Sequence, residues 1–170
     1  NSIMSVQEAA DVIIDFSTPK VLDDILEYAV KNNVPAVLCT TGYSEEDIAK
    51  INEASKKVAI LRSANMSMGI NTMIKVMETI TKVLSDAGFD IEIVEKHHNQ
   101  KIDAPSGTAI MLANGINEVN DGKYTYEYNR QAKREKRNQK EIGIHAIRGG
   151  NIVGEHEVIF AGNDEIVKLS

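Results

Sequence analysis

Three short, unbroken apolar runs divide the first third of this chain: Val12-Ile13-Ile14, Ala36-Val37-Leu38-Cys39 and Val58-Ala59-Ile60-Leu61. Consecutive apolar residues in a strand of this length require cover on both faces, the habit of parallel sheets. The segments between the runs have helical spacing. After the first run, Thr18-Pro19 offers an N-cap followed by proline at the first helical position. Val21, Leu22, Ile25, Leu26, Ala29 and Val30 then recur along one stripe. After the second run, Ser44 and Asp47 have the spacing of a capping box, and Ile48 and Ile51 continue that helix. Strands joined by helices of this length require crossover connections, which are right-handed, so this part folds as a parallel α/β sheet.

The pattern changes near Asn65-Met66-Ser67-Met68-Gly69. A long helix follows, with Ile70, Met73, Ile74, Met77, Ile80 and Leu84 on one face, and its methionines are read as core packing. Next is an alternating strand with Phe89, Ile91 and Ile93 on one side and Asp90 and Glu92 on the other. A further helix has Ile110, Met111, Ile116 and Val119 as its apolar positions. Strand-like stretches then run over 124–128, 142–147, 155–160 and 165–169. Their short separations predict a mixed or antiparallel sheet. The expected organisation is a partial parallel-sheet domain over residues 1–66 and an α+β domain over 67–170.

A lone cysteine, Cys39, provides no disulfide framework, so the expected location is the reducing cytoplasm. No apolar run reaches membrane-spanning length. The net charge of −6 argues against a general nucleic-acid binder, whose affinity rests on cationic contacts to phosphate. The start at Asn1-Ser2-Ile3-Met4, and an end inside the alternation of Ile166-Val167-Lys168-Leu169-Ser170, lead us to expect a piece of a longer protein.

The stretch Glu95 to Ala109, E-K-H-H-N-Q-K-I-D-A-P-S-G-T-A, is the chemically richest part of the chain. His97 and His98 point to opposite sides if strand geometry extends to them, and therefore have different roles. Histidine is the side chain best suited to deliver a proton near neutral pH. Lys101 adds a positive charge suited to a carboxylate. Pro105-Ser106-Gly107-Thr108 opens a helix whose first amides, with the Ser106 and Thr108 hydroxyls, make an anion cradle. Gly107 permits close approach of a ligand to the backbone, while Asp103 and Pro105 shape the loop. Two adjacent histidines without further ligands at metal spacing are weak evidence for zinc, so no metal is assigned. No nucleophile-elbow pattern surrounds Ser106. On residues alone, a purely structural loop is the competing reading.

Small polar residues follow each strand of the first part: Phe16-Ser17-Thr18, Cys39-Thr40-Thr41-Gly42 and Ser63-Ala64-Asn65-Met66. Ligands of parallel sheets bind beyond the carboxyl ends of the strands, so these turns point to one crevice. The basic run Asn129 to Lys140, with Arg130, Lys133, Arg134, Lys136, Arg137 and Lys140, is read as a solvated, mobile loop.

Glu95-Lys96-His97-His98, then Lys101, then Asp103-Ala104-Pro105-Ser106-Gly107-Thr108-Ala109 resembles the signature of bacterial dihydrodipicolinate reductases. Asp15-Phe16-Ser17, Cys39-Thr40-Thr41-Gly42, Asn65-Met66-Ser67 and Gly154-Glu155-His156 resemble other segments of that family, in the same order. The resemblance spans nearly the whole chain. It implies a Rossmann-type domain and a substrate domain whose sheet builds a homotetramer. It also implies reduction of a dihydrodipicolinate-type dicarboxylate with NADPH or NADH, in lysine and diaminopimelate biosynthesis. By resemblance, His97 is the acid that protonates substrate carbon, and Lys101 shares the catalytic role. His98, Ser106, Gly107 and Thr108 bind substrate, while Cys39, Thr40, Thr41, Ser63, Ala64, Asn65 and Met66 line the cofactor. The family's glycine-rich phosphate loop and its ribose-reading residue are not in this sequence, so NAD versus NADP preference is unreadable and weak cofactor binding by this chain is expected. Cys39 stands where the family often has glycine. The alternative expectation is a catalytically incomplete oligomerisation and substrate-binding piece.

Overall fold

The computed structural model describes residues 3–170, with Asn1 and Ser2 outside the described residues. The chain divides into two compact units, one ending at Met66 and one running Ser67–Ser170.

In the first unit, β1 (Ile13–Asp15), β2 (Ala36–Leu38) and β3 (Ile60–Arg62) form a fully parallel sheet in the order β1-β2-β3. Helices α1 (Leu22–Asn32) and α2 (Glu45–Ser55) connect them. The core is Leu22, Ile25, Leu26 and Ala29 of α1 against Ala36, Leu38, Ile51, Ala54 and Val58. Ser44 caps α2 and Asp47 reciprocates, so the capping box read from the sequence forms. The Thr18-Pro19 signal begins only a short 3-10 turn, Pro19–Val21. Thr18 makes no side-chain cap bond, and the α-helix starts at Leu22. This turn moves Val21 out of the expected stripe, leaving it 39% exposed.

One expectation for this sheet is corrected. The register Ile14↔Val37↔Leu61 places these three side chains on one face. Ile14 is 63% and Leu61 57% exposed, so β1 is not covered on both faces within this unit. Among the described residues of the unit, its two α-helices pack over the opposite face, where Ala36 and Leu38 are buried.

The second unit contains α3 (Met68–Asp86), β4 (Asp90–His97), α4 (Gly107–Glu118), β5 (Thr125–Glu127), β6 (Glu141–Arg148), β7 (Glu155–Ala161) and β8 (Ile166–Leu169). Its mixed sheet has the order β5-β6-β4-β7-β8. Strands β5, β6 and β4 run parallel, while β7 and β8 add antiparallel. Consecutive strands β6 and β7 are not neighbours, because β4 lies between them. That separation is invisible to a reading based on loop length.

One face of this sheet supplies Ile91, Ile93, Ile142, Ile144, Val158 and Phe160 to a core completed by Met77 of α3 and Leu112 and Ile116 of α4. Met73 and Met77 pack in or against that core, as the helical stripe implied, whereas Met68 is exposed.

The other face holds a second correction. The basic segment is not simply a solvated loop, because two of its arginines are pinned to the sheet. Arg130 pairs with Glu92 at 2.6 Å and also with Glu141, while Arg137 pairs with Glu92 at 2.9 Å and Asp90 at 2.7 Å. His145 donates from Nε2 to the second Glu92 oxygen at 2.7 Å. Glycine at 143 makes room for this group: a methyl there would collide with the Glu92 carboxylate and come within 2.8 Å of the Arg130 guanidinium.

Candidate active site

The chemistry-bearing loop of the second unit is organised around a carboxylate that the apolar pattern gives no reason to expect. Glu95 continues the core-facing positions of β4 after Ile91 and Ile93 and is fully buried. Four donors converge on it. Arg148 of β6 contributes two N–H groups, each at 2.7 Å, the Ser106 amide lies at 3.0 Å, and His97 Nδ1 at 2.6 Å. Burial acts to raise the Glu95 pKa. The hydrogen bonds from Arg148, His97 and Ser106 outweigh it and hold the carboxyl below its ordinary 4.5. Glu95 is therefore an anion at neutral pH, and its charge is matched by Arg148.

His97 is the last residue of β4, with 12% side-chain exposure. Its ring meets that of His156 edge-on, with centroids 5.1 Å apart. His156 Nε2 lies 3.0 Å from Ser106 Oγ. That oxygen accepts the Ala109 amide at the start of α4, which leaves its own proton to donate to His156. Burial first, and the neighbouring His97 second, lower the His156 pKa below its ordinary 6.5, so the ring is neutral at pH 7. A cavity of about 470 Å³ has Ile70, Met73, Val94, Lys96, Gly154 and His156 on its wall.

The structure brings some of the sequence-derived residues together. His97, Lys101, Ser106, Gly107 and Thr108 belong to one segment running from the end of β4 to the first turn of α4. His98 lies just past the strand, where its carbonyl accepts the Lys101 amide in a tight turn. Lys101 pairs with Asp103 at 2.8 Å. Ser106, expected to bind substrate, is 2% exposed, with its amide on Glu95 and its hydroxyl between His156 and the Ala109 amide of the α4 cap. Glu95 and His156 were quoted from the sequence only as parts of motifs, and no individual role was read for them or for Arg148. Glu95 had a readable signal, since two residues of strand separation put it on the His97 face. Arg148 and His156 are 53 and 50 residues from their partners and reach them only through strand pairing.

In the first unit, the turns after β1, β2 and β3 lie along the carboxyl edge of the parallel sheet. Asp15 organises this edge. It accepts from the Ser17 amide at 3.0 Å and hydroxyl, from Thr40 Oγ1 at 2.6 Å and from Tyr43 at 3.2 Å. Burial acts to raise the Asp15 pKa, but the hydrogen bonds from Ser17, Thr40 and Tyr43 prevail and hold it below 3.8. Burial, reinforced by the Asp15 charge, pushes Tyr43 up to about 12, so its hydroxyl is a donor. Thr40 is therefore buried with its side chain turned inward. Cys39 is also buried, and its amide bonds the Asp15 carbonyl at 2.8 Å. Thr41 is exposed, and Gly42 (φ +82°) has open space where a side chain would stand. Ser63 turns its hydroxyl to the Asn65 carbonyl at 2.9 Å, and Met66 is 47% exposed.

A depressed folded pKa stabilises the fold above the unfolded value and ceases to do so as pH falls through the folded one. Asp15→Ala is accordingly expected to cost about 1–3 kcal/mol at pH 7. The gap from the parent protein should narrow as pH drops below 3.8. Denaturant unfolding followed by circular dichroism at pH 7 and pH 3 measures both, and an equal gap at the two pH values would contradict the assignment.

Among the described residues, no group of three or more His, Cys, Asp or Glu side chains is arranged to hold a metal ion, and no helix is long and apolar enough to cross a membrane.

Known proteins match both units. The family model described as "Dihydrodipicolinate reductase, N-terminus" matches residues 1–66, and that described as "Dihydrodipicolinate reductase, C-terminus" matches residues 69–170. A curated 4-hydroxy-tetrahydrodipicolinate reductase of Caldanaerobacter subterraneus subsp. tengcongensis is 53% identical over 170 residues, covering 100% of this chain and 67% of that protein. Its counterpart in Clostridium novyi is 54% identical over 160 residues, 94% of this chain and 63% of that protein. Among solved structures, the dipicolinate-bound dihydrodipicolinate reductase from Paenisporosarcina sp. TG-14 has a TM-score of 0.60 and 28% identity, covering 94% of this chain and 60% of that one. The chain thus spans between 60% and 67% of the length of these proteins.

Proposed function

Because the chain belongs to the dihydrodipicolinate reductase family, we propose that its protein reduces hydroxy-tetrahydrodipicolinate or dihydrodipicolinate, a cyclic dicarboxylate, to tetrahydrodipicolinate with NADPH or NADH. The reaction is a cytoplasmic step of lysine and diaminopimelate biosynthesis, and His97 supplies the proton. The observation that carries this reading is the His97–Glu95 pair at the mouth of α4, with Lys101 on the same segment.

Each group has a stated task. Lys101 and the start of α4, at Gly107 and Thr108, attract the carboxylates of the ring through the ammonium charge and the positive end of the helix dipole. His98 contacts substrate from the turn beyond β4. In this reading Lys101 exchanges Asp103 for a substrate carboxylate, and Asp103 holds the ammonium in place until then. His97 donates a proton to carbon. The turns at Cys39 to Thr41 and Ser63 to Met66 fit the nicotinamide end of a dinucleotide, with Asp15 bracing Thr40 and Gly42 leaving the backbone open. The cofactor, when bound, supplies the hydride.

The reading is tested by calorimetric titration with dipicolinate, a planar dicarboxylate, and by NADPH and NADH oxidation assays. Lys101→Ala is expected to weaken dipicolinate binding by about tenfold, the worth of one charge-assisted contact. Absence of dipicolinate binding together with absence of turnover on both cofactors would overturn the proposal.

A homotetramer built through the second unit's sheet belongs to the same reading. Ile147 and Ile166 support it, being 46% and 63% exposed on the face opposite the core. Sedimentation equilibrium tests it, and a monomer at micromolar concentration would count against it. A tetramer without turnover would favour the alternative, an assembly and substrate-binding module.

A further inference from the structure

We infer that Glu95 is the positioning residue of this site: it holds the His97 ring by Nδ1–H, so that Nε2 is the only ring nitrogen left to pass on a proton, and glycine at 154 keeps that nitrogen approachable. The inference rests on the proposed role of His97 as the acid and adds which atom acts and what fixes it.

The argument begins with an acceptor count. An ionised carboxylate has four acceptor positions and no proton to give. One Glu95 oxygen takes the Ser106 amide and one Arg148 N–H; the other takes the second Arg148 N–H and His97 Nδ1. Two donors on each oxygen fill the set. Arg148 cannot lose its protons and the Ser106 amide is a fixed donor, so the carboxylate remains an anion. The contact at 2.6 Å therefore requires a proton on Nδ1, whether the ring is charged or neutral. Both ring forms used in a proton transfer share the same held edge.

The opposite edge is treated differently. Among the described residues, Nε2 makes no hydrogen bond. A methyl group on Gly154 would lie 3.1 Å from Nε2 and 3.3 Å from Cδ2. Glycine is the residue that leaves this edge uncrowded. Gly154 itself precedes β7, whose His156 packs edge-on against the His97 ring. The ring is thus held on one edge by a buried anion, braced by a second imidazole, and faces Gly154 on the edge from which the proton departs.

The proton step balances without further groups. The Nε2–H bond of the imidazolium breaks, the proton goes to the substrate carbon, and the electron pair remains on Nε2. The ring becomes neutral imidazole, with Nδ1–H still donated to Glu95. No charge moves onto Glu95, which Arg148 continues to neutralise. Bulk water restores the proton after product leaves.

The first test needs no variant. Two-bond 1H–15N spectra of the histidine rings report the tautomer of neutral His97. The Nδ1–H form is expected, and the Nε2–H form would overturn the inference. Kinetics give the second test. Glu95→Gln should lower kcat by at least about tenfold with KM for the dicarboxylate within about threefold, and Glu95→Asp should restore part of the loss. Gly154→Ala should lower kcat in the same direction. If Glu95→Gln turns over at the parental rate while His97→Gln is crippled, the positioning role fails and the reductase reading stands. If His97→Gln itself has parental turnover, the acid assignment fails first. If Glu95→Gln does not fold, the parental spectrum still decides.

Discussion

Replacing His97 with glutamine is expected to lower kcat by about 10²- to 10⁴-fold while leaving affinity for the dicarboxylate within about threefold. Glutamine is close in reach to histidine and preserves polarity, but it has no proton to release near neutral pH. Its amide can still approach Glu95, so the carboxylate retains Arg148 and the Ser106 amide and the local fold survives. The loss is therefore expected on the step in which the proton moves, not on ground-state binding, which the proposed reading assigns to Lys101 and the start of α4. A Lys101→Ala protein should show the contrasting pattern, with KM raised as well as kcat lowered. Steady-state assays of the two variants, with melting curves as a folding control, separate the roles. Equal damage to KM in both would mean that His97 holds substrate rather than protonating it. Parental kcat in His97→Gln would remove the acid from this site altogether.

The parts of this structure legible in the sequence are those governed by neighbours in the chain. The apolar runs and helical stripes placed the elements, because periods of two and 3.6 residues are local properties. Ser44 with Asp47 announced a helix start, and so did Ser106 before Gly107, because a cap bond spans three residues. The His97-to-Thr108 segment was legible for the same reason. Three features were not. The place of β6 beside β4 brings Arg148 to Glu95, and no count along the chain reveals it. The inward turn of Ser106 depends on His156 arriving from β7. The role of the basic run depends on acids of β4 and β6 that face it across the sheet. In each case a side chain's task is set by a partner distant in the chain.

The basic run yields the second large effect, on stability. Arg137→Ala is expected to cost about 3 kcal/mol. Five hydrogen bonds converge on this guanidinium, which is 17% exposed. Nε meets Glu92, one terminal nitrogen meets Asp90 and the Asn138 carbonyl, and the other meets the Ile91 and Glu141 carbonyls. Truncation leaves backbone acceptors of β4 and β6 without that donor and removes one of the cations facing Glu92. Arg130 and His145 remain, so Glu92 is weakened rather than abandoned. Arg137→Lys should recover less than half of the loss, since a single ammonium cannot span carbonyls and carboxylates that the planar fork reaches together. Arg134→Ala, at an exposed position of the same run, should change stability by no more than about 0.5 kcal/mol. The pH dependence has a definite sign. Burial acts to raise the Glu92 pKa, but Arg137, His145 and Arg130 hold it below 4.5. The advantage of the parent over Arg137→Ala is therefore full above that value and shrinks as pH falls through the lower, folded one. Urea unfolding of the three variants at pH 7, repeated at pH 3.5, measures each of these differences. If Arg137→Ala and Arg134→Ala were equally mild, the run would be a solvated loop after all and its contacts with Glu92 energetically idle.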